Sequence, residues 1–257
     1  MNDKRWLFIG TDKRLSACSR LMAERGHTCH HAETNAYTKR LGEVITDFSP
    51  NHIVFPILQM ERTLPSELLR NGTRLYTGVA SEDWLRSYKE HDFRIESYLQ
   101  EEQFIWQNAR LTAEAFIAEF YSLRKQSVAE KKFYVAGFGK VGKMVAHVLS
   151  ALGAEVTIIA RSAKQLAEAG ALRYSTRLLT SDIVLQESCL VNTIPAQWLS
   201  AVGNEKFHIF DLASAPGCLK VARADEYYTI LPGLPGIHFP MDAAAALADV
   251  LDRMYRR

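Results

Sequence analysis

The sequence predicts an α/β protein made of two doubly wound parallel-sheet domains. Three observations carry that reading. Short apolar strands alternate with amphipathic helical segments through both halves of the chain. Residues 132–142, KFYVAGFGKVG, run a strand into a G-x-G-x-x-G turn and then a helix. One helix later comes the β-branched run EVTIIA at 155–160, suited to the second buried strand of a βαβ unit.

In chain order, residues 5–9 form a first strand that ends in the turn Gly10-Thr11-Asp12-Lys13-Arg14. The next helix carries Leu15, Cys18, Leu21 and Met22 at helical spacing and stops at Gly26. Residues 28–32 make a weak second strand, 39–47 a helix, and 52–56 a strand broken at its end by Pro56. A short helix at 66–70, a strand at 74–78, a helix at 83–89 and a strand at 93–98 complete the first half. From 107 to 125 the chain reads as one long helix, apolar round most of its circumference and therefore expected to be buried.

The second half continues past 142 with Val145, Ala146, Val148, Leu149 and Leu152 in a helical period, ended by Gly153. A helix is expected at 163–169, a short strand at 172–175 and a helix at 183–187, with strands at 189–195, 207–211 and 227–231. Those last strands run into loops dense in Pro, Gly, Ser and Asn, including Gly233, Leu234, Pro235 and Gly236. Ligands of open α/β sheets bind outside the carboxyl ends of strands, so these loops are expected to form the nicotinamide side of a cleft. The expected domains are a Rossmann- or flavodoxin-like substrate-side domain over 1–107 and an interdomain helix over 108–126. A Rossmann dinucleotide-binding domain over 127–240 follows, and a helix over 241–257 returns to the first domain.

The glycine turn defines a cofactor set of Gly137, Phe138, Gly139, Lys140, Val141 and Gly142. Gly137 permits the tight turn, Gly139 lets the backbone approach a pyrophosphate, and Gly142 lets helix and strand pack closely. The helix N-terminus presents N–H groups and a positive dipole end to the phosphates. At the end of the second strand stands Ala160-Arg161-Ser162, where a NAD site would carry an acid. Arg161 there would pair with a 2′-phosphate, with Lys164 adding charge, which predicts NADP(H). The other reading is a solvated arginine in a β–α loop.

Composition excludes several classes. With 47% hydrophobic and 23% charged residues the chain is ordinary for a globular protein, and a net charge of +2 calls for neither nucleic acid nor an anionic membrane. No apolar run is long enough to span a bilayer, and the basic N-terminus precedes only a short strand, so a cytoplasmic protein is expected. Cys18, Cys29, Cys189 and Cys218 form no C-x-x-C pair and are expected to be free thiols. His27, Cys29 and His31 would share one strand face, but no second ligand cluster accompanies them, and no metal site is expected.

Five strings occur in an order that resembles the A-chain family of dipicolinate synthase. They are Gly137-Phe-Gly-Lys-Val-Gly142, Ala160-Arg161-Ser162, Asn192-Thr193-Ile194-Pro195, Asp211-Leu212-Ala213-Ser214 and Pro232-Gly233-Leu234-Pro235-Gly236-Ile237. In the first half, Ile9-Gly10-Thr11-Asp12-Lys13-Arg14 looks like that family's first strand-turn and Val54-Phe55-Pro56-Ile57 like its third strand. Asn108 with Thr112-Ala113-Glu114 looks like its linker-helix motif. The resemblance implies an oxidoreductase of endospore-forming bacteria that uses NADP to oxidise a dihydrodipicolinate-type lysine-pathway intermediate to pyridine-2,6-dicarboxylate. It also implies a flavoprotein-like second subunit within a homo- or hetero-oligomer. The chain departs from the pattern at Ala115, at His238-Phe239 and at Met241-Asp242.

A flat ring with two carboxylates calls for cationic or N–H donors at both ends. Thr11, Asp12, Arg14, Pro56, Asn108, Thr112, Gly233, Leu234, Pro235 and Gly236 form the candidate substrate set. Arg14 reads as a carboxylate clamp or as a solvated helix arginine, and Asp12 as the cap of the same helix. Asn108 and Thr112 share a helix face, marking either a cleft or a satisfied buried hydrogen bond. Asn192, Thr193 and Pro195 are placed at the nicotinamide ribose, and Ile194, Leu212 and Ala213 join the cofactor-binding set. Candidates for proton transfer are Asp211, Glu114 and His238, with Asp211 also readable as a turn cap. Two rivals stay open: another NADP-dependent oxidoreductase of alanine-dehydrogenase-like or imine-reducing type, and a non-catalytic NADP-binding assembly subunit.

Overall fold

Alternation along the first strand sets the layers of the first unit. In the computed structural model, which describes residues 4–91, 93–180, 183, 185, 188–200, 206–220 and 226–257, β1 (Arg5–Ile9) is buried on both faces. Trp6 and Phe8 point to one side and Leu7 and Ile9 to the other, and all four are fully buried. Side chains of successive strand residues alternate between faces, so one four-residue run seeds two apolar layers.

The chain divides into two compact units, Met1–Asn108 with Gly236–Arg257, and Ala109–Pro235. In the first, β1 is followed by α1 (Lys13–Glu24), β2 (Thr28–Ala32), α2 (Lys39–Phe48), β3 (His52–Val54), β4 (Arg74–Thr77), α3 (Glu82–Lys89) and β5 (Arg94–Ser97). The five strands are parallel in the order β2-β1-β3-β4-β5, a flavodoxin-like arrangement. One face carries Trp6, Phe8, Val54 and Tyr76 under α1 and the C-terminal helix, and the other carries Leu7, Ile9, Ile53 and Leu75 under α2 and α3. Arg25 at the end of α1 reaches Asp249 at 2.6 Å and Asp252 at 2.7 Å on that C-terminal helix, which spans Pro240–Arg256.

The long helix α4 (Glu102–Arg124) leads from the first unit into the second. The second unit continues with β6 (Lys132–Ala136), α5 (Lys140–Ala151), β7 (Glu155–Ala160), α6 (Ala163–Ala171), β8 (Ser175–Leu178), β9 (Ser188–Asn192), β10 (Phe207–Asp211) and β11 (Tyr228–Ile230). All six strands are parallel, in the order β11-β10-β9-β6-β7-β8, the doubly wound order of a Rossmann domain. Phe116 and Phe120 of α4 pack edge-on against Phe133 and Phe210 at 5.3–5.8 Å, covering one face of this sheet. The short helix α7 (Leu234–His238) precedes α8, the C-terminal helix.

Several elements differ from the sequence reading. α4 begins at Glu102, five residues before the expected start at 107, because nothing in 102–106 breaks a helix and Phe104 is buried. It is not buried all round, since Trp106, Tyr121 and Leu123 are exposed. The strand expected at 172–175 lies at Ser175–Leu178: Leu172 is the C-cap of α6 and Arg173 takes the left-handed conformation, so extension starts later. The helix expected at 66–70 is a single 3-10 turn over Ser66–Leu68, and the loop containing Pro235 and Gly236 is helical. The helix expected at 183–187 falls mostly outside the described residues.

Candidate functional site

The carboxyl end of β6 is where the second unit's strand order reverses, between β9 and β7. Gly137 has φ of +90°, and a Cβ there would stand 2.6 Å from Thr193 Oγ1. Thr193 is itself tied to this turn, since its backbone N–H and its hydroxyl both donate to the Ala136 carbonyl at 2.9 and 2.8 Å. A Cβ at Gly142 would lie 2.1 Å from the Gly137 carbonyl oxygen, so helix and turn meet backbone to backbone. Gly139 differs: no protein atom lies within 4 Å of a Cβ built there, and as N-cap of α5 it supplies no side-chain hydrogen bond. The first turn of α5 is therefore a helix start without a side-chain cap from its N-cap residue, the place where a helix can take an anion. These residues fit a dinucleotide pyrophosphate. Beyond β7, Arg161 and Lys164 are exposed, while the Ser162 hydroxyl caps α6 by accepting the Gln165 N–H at 3.4 Å. Phe138 is buried against Tyr174 and so acts through packing.

The carboxyl ends of β9 and β10 and the first residue of β11 are bound together by one buried carboxylate. Asp211 is fully buried and accepts from Asn192 Nδ2 at 2.8 Å, Ala213 N at 3.1 Å, Cys218 N at 2.7 Å and the Tyr228 hydroxyl at 2.6 Å. Asn192, also fully buried, donates to the Ile194 carbonyl and accepts from Ile194 N and Trp198 Nε1. All four side-chain hydrogen-bond positions of Asn192 that point inward are thus used within the protein. Burial and then the neighbouring carboxylate push the Tyr228 phenol pKa upward. Asp211 and Asn192 hold the loops bearing Thr193, Ile194, Pro195, Leu212 and Ala213 through these hydrogen bonds. The turn-cap reading of Asp211 describes its geometry.

The first unit carries a second constellation at the end of β1. Gly10 has φ of +145°, and a Cβ would stand 2.4 Å from Leu15 Cδ1 and 3.3 Å from Pro56 Cγ. Asp12 caps α1 by accepting the Arg14 N–H at 2.9 Å and also binds that residue's side chain, with Nε at 3.0 Å and Nη2 at 2.5 Å. Arg14 is buried, contrary to the solvated reading, and its Nη1 reaches Asn108 Oδ1 at 3.5 Å. The backbone of Gly236 passes so close that a Cβ would lie 2.9 Å from both Arg14 Nε and Asp12 Oδ1. Burial alone would raise the Asp12 carboxyl, but the hydrogen bonds and charge of Arg14 outweigh it and hold its pKa below the usual carboxylate value. Asp12, Arg14, Asn108 and Gly236, distant in sequence, form one cluster with a single guanidinium at its centre.

Other candidates stand apart. Glu114 is exposed and forms an i,i+4 ion pair with Arg110 at 3.5 Å, so it joins neither constellation. Thr112 is buried one turn after Asn108 on α4. His238 ends α7 with its ring tilted against Phe239, and Gly233 sits just before that helix at φ of +63°. Thr11 is held by Asn35, which accepts its N–H at 3.1 Å and donates to its hydroxyl at 2.7 Å. Sequence reasoning missed Asn35, Cys218 and Tyr228, and no local motif marks them. It also missed His31 as the ring that donates to the Gly10 carbonyl at 2.9 Å. Among the described residues no group of His, Cys, Asp or Glu is arranged to hold a metal, the four cysteines are free thiols, and no helix is long and apolar enough to cross a membrane.

Residues 100–197 match the family described as D-isomer specific 2-hydroxyacid dehydrogenase, NAD binding domain. The chain is 27% identical to the dipicolinate synthase A chain of Bacillus subtilis (strain 168), in a match covering 83% of this chain and 73% of that protein. The crystal structure of the dipicolinate synthase A chain from Bacillus subtilis superposes with a TM-score of 0.79 at 20% identity, covering 100% of this chain and 97% of the other. The corresponding structure from Bacillus halodurans gives 0.78 at 24% identity, covering 98% and 97%. By sequence over most of its length and by fold over all of it, this chain is similar to the dipicolinate synthase A chain, and it carries a nicotinamide-dinucleotide-binding domain of the 2-hydroxyacid dehydrogenase type.

Proposed function

We propose that this chain is an NADP-dependent oxidoreductase that converts a dihydrodipicolinate-type intermediate of the lysine pathway to pyridine-2,6-dicarboxylate during sporulation, in the cytoplasm and beside a flavoprotein-like second subunit. The observation that carries this reading is its sequence similarity to the dipicolinate synthase A chain. The site residues support it. Gly139 and the first turn of α5 would take the pyrophosphate, and Arg161 with Lys164 would take the 2′-phosphate. The Arg14 guanidinium, buried and oriented by Asp12, would take one carboxylate of the substrate through its Nη1 edge, with Asn108 alongside. A bound nicotinamide would supply the hydride-accepting chemistry, and a protein base would take the proton released as the substrate ring becomes aromatic. Of the three proton-transfer candidates, Asp211 is enclosed by four donors and Glu114 faces solvent, which leaves His238.

The test is mass-spectrometric detection of pyridine-2,6-dicarboxylate. The full chain would be mixed with NADP⁺ and freshly generated precursor, with and without the flavoprotein partner. Product with stoichiometric NADPH is expected. No product in either mixture, with NADPH binding confirmed, would sink the assignment and favour another NADP-dependent substrate. Product only with the partner, unaffected by Gly139→Asp, would favour the non-catalytic assembly reading. Cofactor choice has its own check: Arg161→Glu should weaken NADPH binding about 10- to 100-fold more than NADH binding, and equal losses would remove the 2′-phosphate role.

A further inference from the structure

The end of the second unit's sheet opposite the glycine turn holds a concave site that the proposed reaction does not use. Where β6, β9 and β10 begin, a cavity of about 830 Å³ opens, within the usual range for small-molecule sites. Among the described residues its walls include Arg124, Lys131, Lys132 and Lys206, with Glu130 as the carboxylate beside them. The neighbouring strands present polar side chains, with Tyr134 from β6, Ser188 and Cys189 from β9, and His208 from β10.

The arginine is positioned. Arg124 sits in the last turn of α4, and its Nη1 donates to His208 Nδ1 at 3.2 Å. A guanidinium only donates, so Nδ1 is the accepting nitrogen and the opposite ring nitrogen donates to Thr229 Oγ1 at 3.0 Å. His208 is buried, which fixes the angle at which the guanidinium meets the cavity. Arg124 Nε is shielded from solvent and has no hydrogen-bond partner, and among the described residues neither Lys131 nor Lys132 forms an ion pair. The positive potential reaches Cys189: burial pushes its thiol up to about 11, against the pull of Arg124 and Lys131. A planar fork beside several ammonium groups, in a pocket rather than along a stripe, matches a compact oxyanion.

We propose that this end of the sheet binds a small oxyanion carrying two or more negative charges, at a site separate from the dinucleotide turn. The inference does not rest on the reaction proposed above. Its test is calorimetric titration of the full chain with inorganic phosphate, citrate and pyridine-2,6-dicarboxylate in turn. At least one should bind saturably below about 1 mM and weaken as salt is raised. Arg124→Gln and the double variant Lys131→Gln/Lys132→Gln should each weaken that binding about tenfold, while Arg161→Gln leaves it unchanged. The lysine pair lies at the surface, so the double variant keeps the test valid if Arg124→Gln does not fold. Binding of the pyridine dicarboxylate alone would identify a carboxylate ligand, and binding of phosphate a phosphate ligand. No saturable binding of any of the three, or binding lowered by Arg161→Gln but not by the lysine variant, would overturn the proposal.

Discussion

The two units start with the same device and finish it in opposite ways. Each runs a buried parallel strand into a glycine at positive φ and then a helix: β1, Gly10 and α1 in the first, β6, Gly137 and α5 in the second. In the first unit Asp12 caps α1 and pairs with the Arg14 side chain, so the positive helix end already holds a carboxylate that the chain supplies. In the second unit the N-cap is Gly139, with no side chain and open space before it. One helix end is capped by a side chain and the other is not. Doubly wound topology puts both turns at the carboxyl ends of strands, but the cap residue decides what can bind there.

The largest effect should come from giving the second unit the first unit's cap. Gly139→Asp meets no protein atom, so the fold should survive, and the new carboxylate would occupy and repel the pyrophosphate position. NADPH binding, followed by cofactor fluorescence, should fall by about a thousandfold or more, roughly 4 kcal/mol. Retained binding would mean that the open helix end is not the phosphate site. The converse change is Asp12→Ala, which removes the α1 cap and leaves the buried Arg14 charge unpaired. Denaturant melts should show a loss of about 2–3 kcal/mol. A loss under about 0.5 kcal/mol would show that the pair adds nothing beyond its surface share.

Acid should separate the units by a smaller margin. His52 in the first unit stacks on Trp6 at 4.2 Å, with Nδ1 at 3.1 Å from the Tyr76 hydroxyl. Burial first, then the charge of Arg74, lowers its pKa from 6.5 to about 3. Below pH 6.5 the unfolded chain takes a proton that the folded unit refuses. The stability this group contributes is therefore complete above pH 6.5 and declines as the pH drops toward 3. Between pH 6.5 and 5 the loss should approach about 2 kcal/mol and disappear in His52→Gln, measured by denaturant melts across the range. Asp12, whose pKa is also lowered, loses its contribution only below the ordinary carboxylate value of 3.8, after most of the His52 contribution has gone.

The parts of the fold legible in the sequence were those with a local cause. The short apolar runs of β1 and β6, the glycine stops and the β-branched run of β7 each report a buried strand or a turn, and the strands lie where those signals stand. The α/β class and the dinucleotide turn follow from them. Less legible were the margins: the early start of α4, the shifted β8 and the helical turn α7. Propensity alone does not choose among neighbouring registers there, and burial of Phe104 or capping at Leu172 does. In the candidate site the same division holds. Asp12 was readable as a cap, because its bond to Arg14 spans two residues. Its union with Asn108 and Gly236 was not, because those positions lie far along the chain.

Sequence by itself determined which residues can turn the chain and where the backbone carries no Cβ, because both are properties of single residues. It also determined that both sheets would be parallel, from the alternation of strands and helices. Only the tertiary structure decided that Asp211 would be enclosed by Asn192, Cys218 and Tyr228 rather than offered to a substrate. Likewise, only the tertiary structure decided that Arg14 would be buried and held by its own neighbour. A carboxylate or guanidinium acquires its role from the donors and charges packed around it, and parallel strands bring those together from positions that no local pattern connects.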